Sequence, residues 1–572
     1  MTSLFRAISV SLSLLLSAAL AAACADAAPS GGGLVLSTAS LAPCVPNENG
    51  DFRFPSNADR VVVRATGGHI PGDAPIVGIF ASDDAASQEQ AVLEDVPAGE
   101  GVVIEVVACK GATPTWGGIT RGLEVLAGNR NTADVFLTPV DAAACVGGKG
   151  VLEGDRQMKA GHAFAATAFD GDFAYALGGF DAYDLAKKEL RATTSVDRYS
   201  RNQSRFAALA RLQERRAMGA AQIISNDGTI RIIGGVRAVT LNTGGDRPPI
   251  FPSQDSAPSS GIEVYDPATG NPVAGPDSTL PALPALGSAP DGTVVAVGGV
   301  DGTAGGTPTY ATGVTVFGAT GSIKSFGLPA GRYGATVLPT DDGHALVYGG
   351  TASGDPAGAA AWLDLGASSA TQLTGTVVGG VPFMAGGLFI GDDAAGWHFL
   401  VLGGSDIMGG AGATQFTAGA TTPRAILVTV APSGAAVTTR DLLDGSPLAG
   451  DLFRRVAPLV VDLGELGIML GGGLTSLTSD PACPGAGVKD CLPQKLARLA
   501  LASPTGALSV TGTPAESPVA ALGAGLLALG DGSWLLSGGI ETLAAETRAI
   551  DLHAGLLRFG VDDPGMCQLT AP

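Results

Sequence analysis

Seven apolar, β-rich runs that end in Gly-Gly constrain the fold of this chain more than any other feature. The pairs are Gly178-Gly179, Gly234-Gly235, Gly298-Gly299, Gly349-Gly350, Gly403-Gly404, Gly471-Gly472 and Gly538-Gly539. A turn glycine stands shortly before each run. In five units it follows aspartate: Asp170-Gly171, Asp227-Gly228, Asp291-Gly292, Asp342-Gly343 and Asp531-Gly532. Asp-Gly supplies the positive φ angles of a two-residue hairpin turn. Each unit is therefore predicted to hold two antiparallel strands joined by a tight turn. The second ends in glycines that permit close approach of another segment. A third strand is expected after a loop, most plainly in Gly261-Ile-Glu-Val-Tyr-Asp-Pro-Ala-Thr-Gly270. Echoes stand at Val196–Tyr199, Val314–Phe317, Trp362–Asp364 and Ile550–Leu552. The units recur about every 60 residues. A four-stranded repeat needs roughly 40–50, so the excess falls in loops.

This grammar of apolar run, Gly-Gly and Tyr-Asp strand resembles the kelch repeat from about residue 158 to about 555. The resemblance implies an all-β chain with a seven-bladed kelch-type β-propeller over 145–570. Weak third strands in the fifth and sixth units leave six or seven blades open. The chain departs from the family pattern in its tryptophans, four in all and not placed late in each unit. Single blades cannot bury their apolar faces alone and pack around an axis. Ahead of the propeller, apolar runs at Arg60–Ala65, Ala74–Phe80, Gly101–Cys109 and Thr132–Leu137 predict a small β-sandwich over 41–140.

The amino terminus reads as an export signal. Arg6 is the only charge before an apolar run from Ala7 to Ala23. That run is shorter than the roughly 20 residues of a spanning helix and reads as a signal peptide over 1–23. Leu20-Ala21-Ala22-Ala23-Cys24 resembles a bacterial lipobox, which implies a lipid on Cys24. Ala25, rather than aspartate, points to the outer membrane. The competing reading is ordinary cleavage after Ala-x-Ala. Residues 24–40 are then a lipidated tether, and the membrane is met through the lipid alone.

Six cysteines remain, an even number that suggests disulfides in an exported chain. Position suggests Cys44–Cys109, Cys483–Cys491 and Cys145–Cys567, the last joining the two ends of the repeat array. A zinc site needs clustered Cys and His, and no histidine lies near Cys483 or Cys491.

The formal net charge of −20 argues against nucleic acid, whose phosphates demand a basic surface. His69, His162, His344, His398 and His553 are scattered without metal spacing, and no nucleophile elbow or phosphate-binding loop is present. No metal or cofactor is expected. Galactose oxidase also carries a kelch-type propeller, but its copper site needs a Cys–Tyr crosslink and histidine ligands, for which no pattern is visible here. Basic residues before the first strand of kelch blades often point into the channel mouth. By that resemblance Lys159, Arg216, Arg332 and Arg455, standing 19, 18, 17 and 16 residues before their Gly-Gly pairs, would form a ring for an acidic peptide or glycan. Salt bridges between blades are the alternative. The long loops Val236–Ser260 and Leu474–Lys495 are further recognition candidates. The expected function is an exported binding scaffold for a protein or glycan outside the cytoplasm. A carbohydrate-active envelope enzyme with a site at the channel mouth is the alternative.

Overall fold

In the computed structural model the described residues lie between 32 and 569. The longer stretches outside the description are 1–31, 41–57, 82–89, 147–157, 242–249, 253–260, 275–279, 353–359, 377–381, 409–414, 417–422, 474–494, 517–522, 541–553, 559–563 and 570–572. The signal peptide, Cys24, Cys44, Lys159, Cys483, Cys491 and His553 therefore lie outside the described residues. The chain is all-β. Among the described residues no helix is long and apolar enough to cross a membrane. Two compact units form, one from the amino-terminal part plus the carboxy-terminal tail, the other from the sequence between them.

The first unit is one seven-stranded sheet folded on itself. Its strands are β1 (Gly32–Ser40), β2 (Arg60–Gly67), β3 (Ile76–Ala81), β4 (Gln90–Val96), β5 (Gly99–Lys110), β6 (Thr113–Val125) and β7 (Arg130–Pro139), in the order β3-β2-β5-β6-β7-β1-β4. The two ends of that order touch, where Gly78 of β3 faces Leu93 of β4. The enclosed core includes Leu34, Leu36, Val61, Val63, Ile104, Val106, Val135 and Leu137. β1 falls within the expected tether. Its Leu-Val-Leu run is apolar enough to fill a sheet position, and it lies parallel to β7 and antiparallel to β4.

The tail completes this unit. A 3-10 turn, Pro564–Gln568, places Met566 and Cys567 fully buried against Val62, Val107 and Cys109. Cys567 is bonded to Cys109, with Cα atoms 5.6 Å apart. This corrects both expected pairings that involved these residues, Cys44–Cys109 and Cys145–Cys567. The propeller also ends before 570, because 560–572 groups with the first unit.

Among the described residues the second unit contains seven principal sheets in chain order, six of four antiparallel strands and the fifth with Thr374–Thr376 added as a parallel edge strand. Their first strands are Ala166–Phe169, Ala220–Ile223, Ala285–Ser288, Arg332–Pro339, Gly386–Asp393, Leu459–Asp462 and Gly525–Ala528. The second strands carry the Gly-Gly pairs. Ile230–Ile233, Val294–Val297 and Ser533–Ser537 are buried at every position, which explains their largely apolar runs: both faces are covered by neighbouring sheets. Leu346, Tyr348 and Trp362 of the fourth sheet, for example, pack on Phe399, Val401 and Val428 of the fifth. In the seventh sheet the third described strand is Ala554–Arg558; the expected Ile550–Leu552 lies outside the described residues. The fourth strand of that sheet is β8 (Ala142–Val146), which enters from the beginning of the unit.

Two local expectations change. Three residues separate the first two strands of the first sheet, and four those of the fourth. In the first sheet the Asp170 N–H donates to Phe173 O across the two residues Gly171-Asp172, as expected, whereas in the fourth the Thr340 N–H donates to His344 O across three; aspartate side chains brace such turns. Asp170 Oδ1 accepts from the N–H of Asp172, and Asp291 Oδ1 from that of Thr293. In the sixth unit the functional pair is Gly472-Gly473, both at positive φ, while Gly471 still belongs to the strand.

Candidate functional site

The Gly-Gly pairs join neighbouring sheets. The second glycine N–H donates to the carbonyl of the residue that opens the next sheet: Gly179 to Arg216 (2.7 Å), Gly299 to Arg332 (2.8 Å) and Gly404 to Arg455 (2.6 Å). A Cβ on Gly178, Gly298 or Gly403 would stand 2.1–2.3 Å from those same carbonyl oxygens. The approach explains why the first glycine of the pair is needed, as does its positive φ.

Each arginine then turns its side chain back into its own sheet. Nη1 donates to the first glycine carbonyl there: Arg216 to Gly234 (3.2 Å), Arg332 to Gly349 (3.0 Å) and Arg455 to Gly472 (3.0 Å). His162 takes the same place in the first sheet, with Nδ1 2.5 Å from Gly178 O and Nε2 3.1 Å from Asp197 Oδ2. Arg424 reaches Gly403 and Gly404 in the fifth. Arg216, Arg332 and Arg455 are 1–2% exposed, so these guanidinium groups serve the sheets from inside and do not stand as an open ring. Burial lowers Arg455 to about 10. Burial also lowers Arg216, with Glu263 at 3.2 Å and Glu214 opposing the shift.

Two residues after each of these openings the backbone turns left-handed: Phe164, Met218, Leu283, Gly334, Met384, Ala457 and Gly523. Backbone bonds link several of them from sheet to sheet. Phe164 N–H donates to Gly523 O (2.5 Å), Met218 to Phe164 (2.7 Å), Met384 to Gly334 (2.8 Å) and Ala457 to Met384 (2.7 Å). The first of these joins the last sheet to the first. At the same end one apolar cluster takes side chains from segments that belong to or flank all seven sheets, among them Phe180, Val236, Val300, Tyr333, Phe383, Val456 and Ile540. The Gly-Gly end is thus filled by packed side chains. The loop after the second pair, within Val236–Ser260, contributes Ala238–Leu241 and Ile250–Pro252 to a small sheet with Phe180–Asp184 and Glu189–Ala192. The loop Leu474–Lys495 lies outside the described residues up to 494.

The opposite end, where the first strands finish, holds a cavity of about 1070 Å³. Its walls come from the first strands of the third to seventh sheets, including Leu286, Leu338, Leu388, Phe389, Val460 and Leu527. Asp341, Asp462, Ser288 and Ser503 supply polar groups. Beside it, between the fourth and fifth sheets, His344 stacks on Trp362 (centroids 5.2 Å) and Trp362 meets Trp397 (4.7 Å). Asp342 joins them, accepting from Trp397 Nε1 at 3.0 Å and lying 2.9 Å from His344 Nδ1. Burial would raise Asp342, but hydrogen bonds from Thr340, His344 and Trp397 outweigh it and hold the carboxyl below its usual range. His398, 1% exposed at its side chain, lies 2.9 Å from Asp393. Among the described residues no group of three or more His, Cys, Asp or Glu is placed to hold a metal.

Of the residues expected to bind ligand, three are thus at the filled end and inside the sheets. The carboxylates of the cavity had one sequence signal, the Asp341-Asp342-Gly343 turn. Nothing in the sequence brings Asp341 to the same cavity as Asp462.

No family model matches the chain, and no curated protein does. Among solved structures, that of YjhT is similar at 14% identity, over 62% of this chain and 99% of its own, with a TM-score of 0.39. A fungal alcohol oxidase of the AA5 family, in complex with copper, is similar at 15% identity over 70% of this chain and 75% of its own, with a TM-score of 0.45.

Proposed function

We propose that this chain is an exported, lipid-anchored binding protein, whose seven sheets close into one kelch-like propeller with a ligand cup open at the turn end. The observation that carries the reading is the cavity of about 1070 Å³, backed by the apolar cluster at the other end of the sheets. A concave space that mixes apolar walls with polar groups suits ligand capture. Ring closure is supported by β8 completing the seventh sheet and by the bond from Phe164 to Gly523. The lipobox-like Leu20–Cys24 supports the anchor, and with it a partner outside the cytoplasm.

The test uses N-phenyl-1-naphthylamine, a neutral apolar fluorophore, titrated into the mature chain. Saturable binding is expected, weakened by the space-filling Leu388→Trp and by Val460→Asp while both variants keep wild-type circular dichroism. Absence of saturable binding, or binding untouched in both folded variants, overturns the reading. For the anchor, wild type should fractionate with membranes and Cys24→Ser should be soluble. Asp341 and Asp462 favour a second reading, a carbohydrate-active enzyme. Glycan hydrolysis that disappears in Asp341→Asn or Asp462→Asn would establish it.

A further inference from the structure

Resting on that reading of the cup, we infer that it selects ligands whose apolar part carries a cationic head. The apolar part of the walls, with Leu286, Leu338, Leu388 and Val460, is undirected. Burial there contributes in proportion to area, roughly 25 cal/mol per Å², whatever group the apolar part is attached to. Selection falls to the charges at the rim. Among the described lining residues there are two carboxylates, Asp341 and Asp462, and no Lys, Arg or His.

Both carboxylates belong to exposed turn residues at the ends of first strands, in the fourth and sixth sheets. Asp462 is oriented by the Gly464 N–H, which donates to its Oδ1 at 2.8 Å. Neighbouring turns add Asp342, Asp392 and Asp393. Hydrogen bonding holds Asp393, chiefly through His398, below the usual carboxylate range. Arg216, Arg332, Arg424 and Arg455 do not counter this field, being buried and bonded to glycine carbonyls at the other end of the sheets, while His344 and His398 lie 2.9 Å from Asp342 and Asp393. A concave site with one sign of charge and low-dielectric walls concentrates the opposite charge at its mouth. The chain's net charge of −20 acts in the same direction.

The experiment compares three probes with one tail and different heads: octyltrimethylammonium, octyl glucoside and octyl sulfate. Each displaces bound N-phenyl-1-naphthylamine from the mature chain below its micelle concentration. The ammonium probe should displace at the lowest concentration and the sulfate at the highest. Asp341→Asn and Asp462→Asn should each cut the ammonium's advantage over the glucoside by roughly threefold to tenfold, as expected for partly screened single charges. Both are exposed, and asparagine keeps the oxygen that receives the Gly464 N–H, so fold is preserved. Fluorophore binding with equal displacement by all three heads, with preference for sulfate, or with an ammonium advantage unchanged in both variants overturns the inference and leaves the cup standing. If the fluorophore itself does not bind, the cup falls and the inference with it.

Discussion

At the residue scale, the repeated device is a cation capping the Gly-Gly carbonyl. Arg216 makes it most expensively, because its charge is nearly inaccessible and relies on Glu263, which is 4% exposed. Removing one partner of a buried pair leaves an uncompensated charge and costs about 3–5 kcal/mol. Glu263→Ala should lower the melting temperature sharply, more than the exposed Asp172→Ala, whose partner Arg201 lies 3.6 Å away; calorimetry of the two variants checks this. Arg332→Met and Arg455→Met would each strip a buried glycine carbonyl of its side-chain donor, at about 1–3 kcal/mol. They should lower stability while leaving fluorophore binding at the far end intact. A binding loss without a stability loss would return these arginines to the ligand site.

At the element scale, the tail Pro564–Gln568 belongs to the amino-terminal unit although almost the whole chain separates it from β5. The Cys109–Cys567 bond spans a separation of 458 residues, and Arg60 donates to the carbonyls of Cys567 and Leu569. Cys567→Ser should therefore destabilise the amino-terminal unit by about 2–5 kcal/mol. Limited proteolysis should then cut first between 58 and 140. Peptide mapping without reduction should recover the Cys109–Cys567 link. A map joining Cys145 to Cys567 would contradict the architecture.

At the scale of the whole molecule, the tyrosines between sheets set an alkaline limit. Burial raises Tyr265 to about 12, and burial raises Tyr348 to about 12 against the opposing charge of Arg424. The folded state thus holds these protons more tightly than the unfolded chain, whose tyrosines titrate near 10. Their contribution is complete below that value and is lost as pH rises toward 12. Absorbance of tyrosinate should lag behind free tyrosine and then rise together with loss of near-ultraviolet circular dichroism. In acid the sign reverses. Asp342 and Asp393 are depressed in the fold, so their contribution is present at neutral pH and fades below about pH 4.

The all-β class and the seven units were legible in the sequence, because each strand pair and its Gly-Gly end is a local pattern fixed by turn chemistry and burial on both faces. Third strands such as Ile262–Asp266 were readable for the same reason. Partners distant along the chain were not. Cys109 could pair with any cysteine until the tail came back to it, and β8 could join the last sheet only once the array had turned through seven units. Basic residues stood 16 to 19 residues before the Gly-Gly pairs of four units, which marks a repeated role without saying whether solvent or a glycine carbonyl receives the side chain. Only packing decided that. It buried the cations, filled the Gly-Gly end with apolar side chains, and left Asp341 and Asp462 to share the open one.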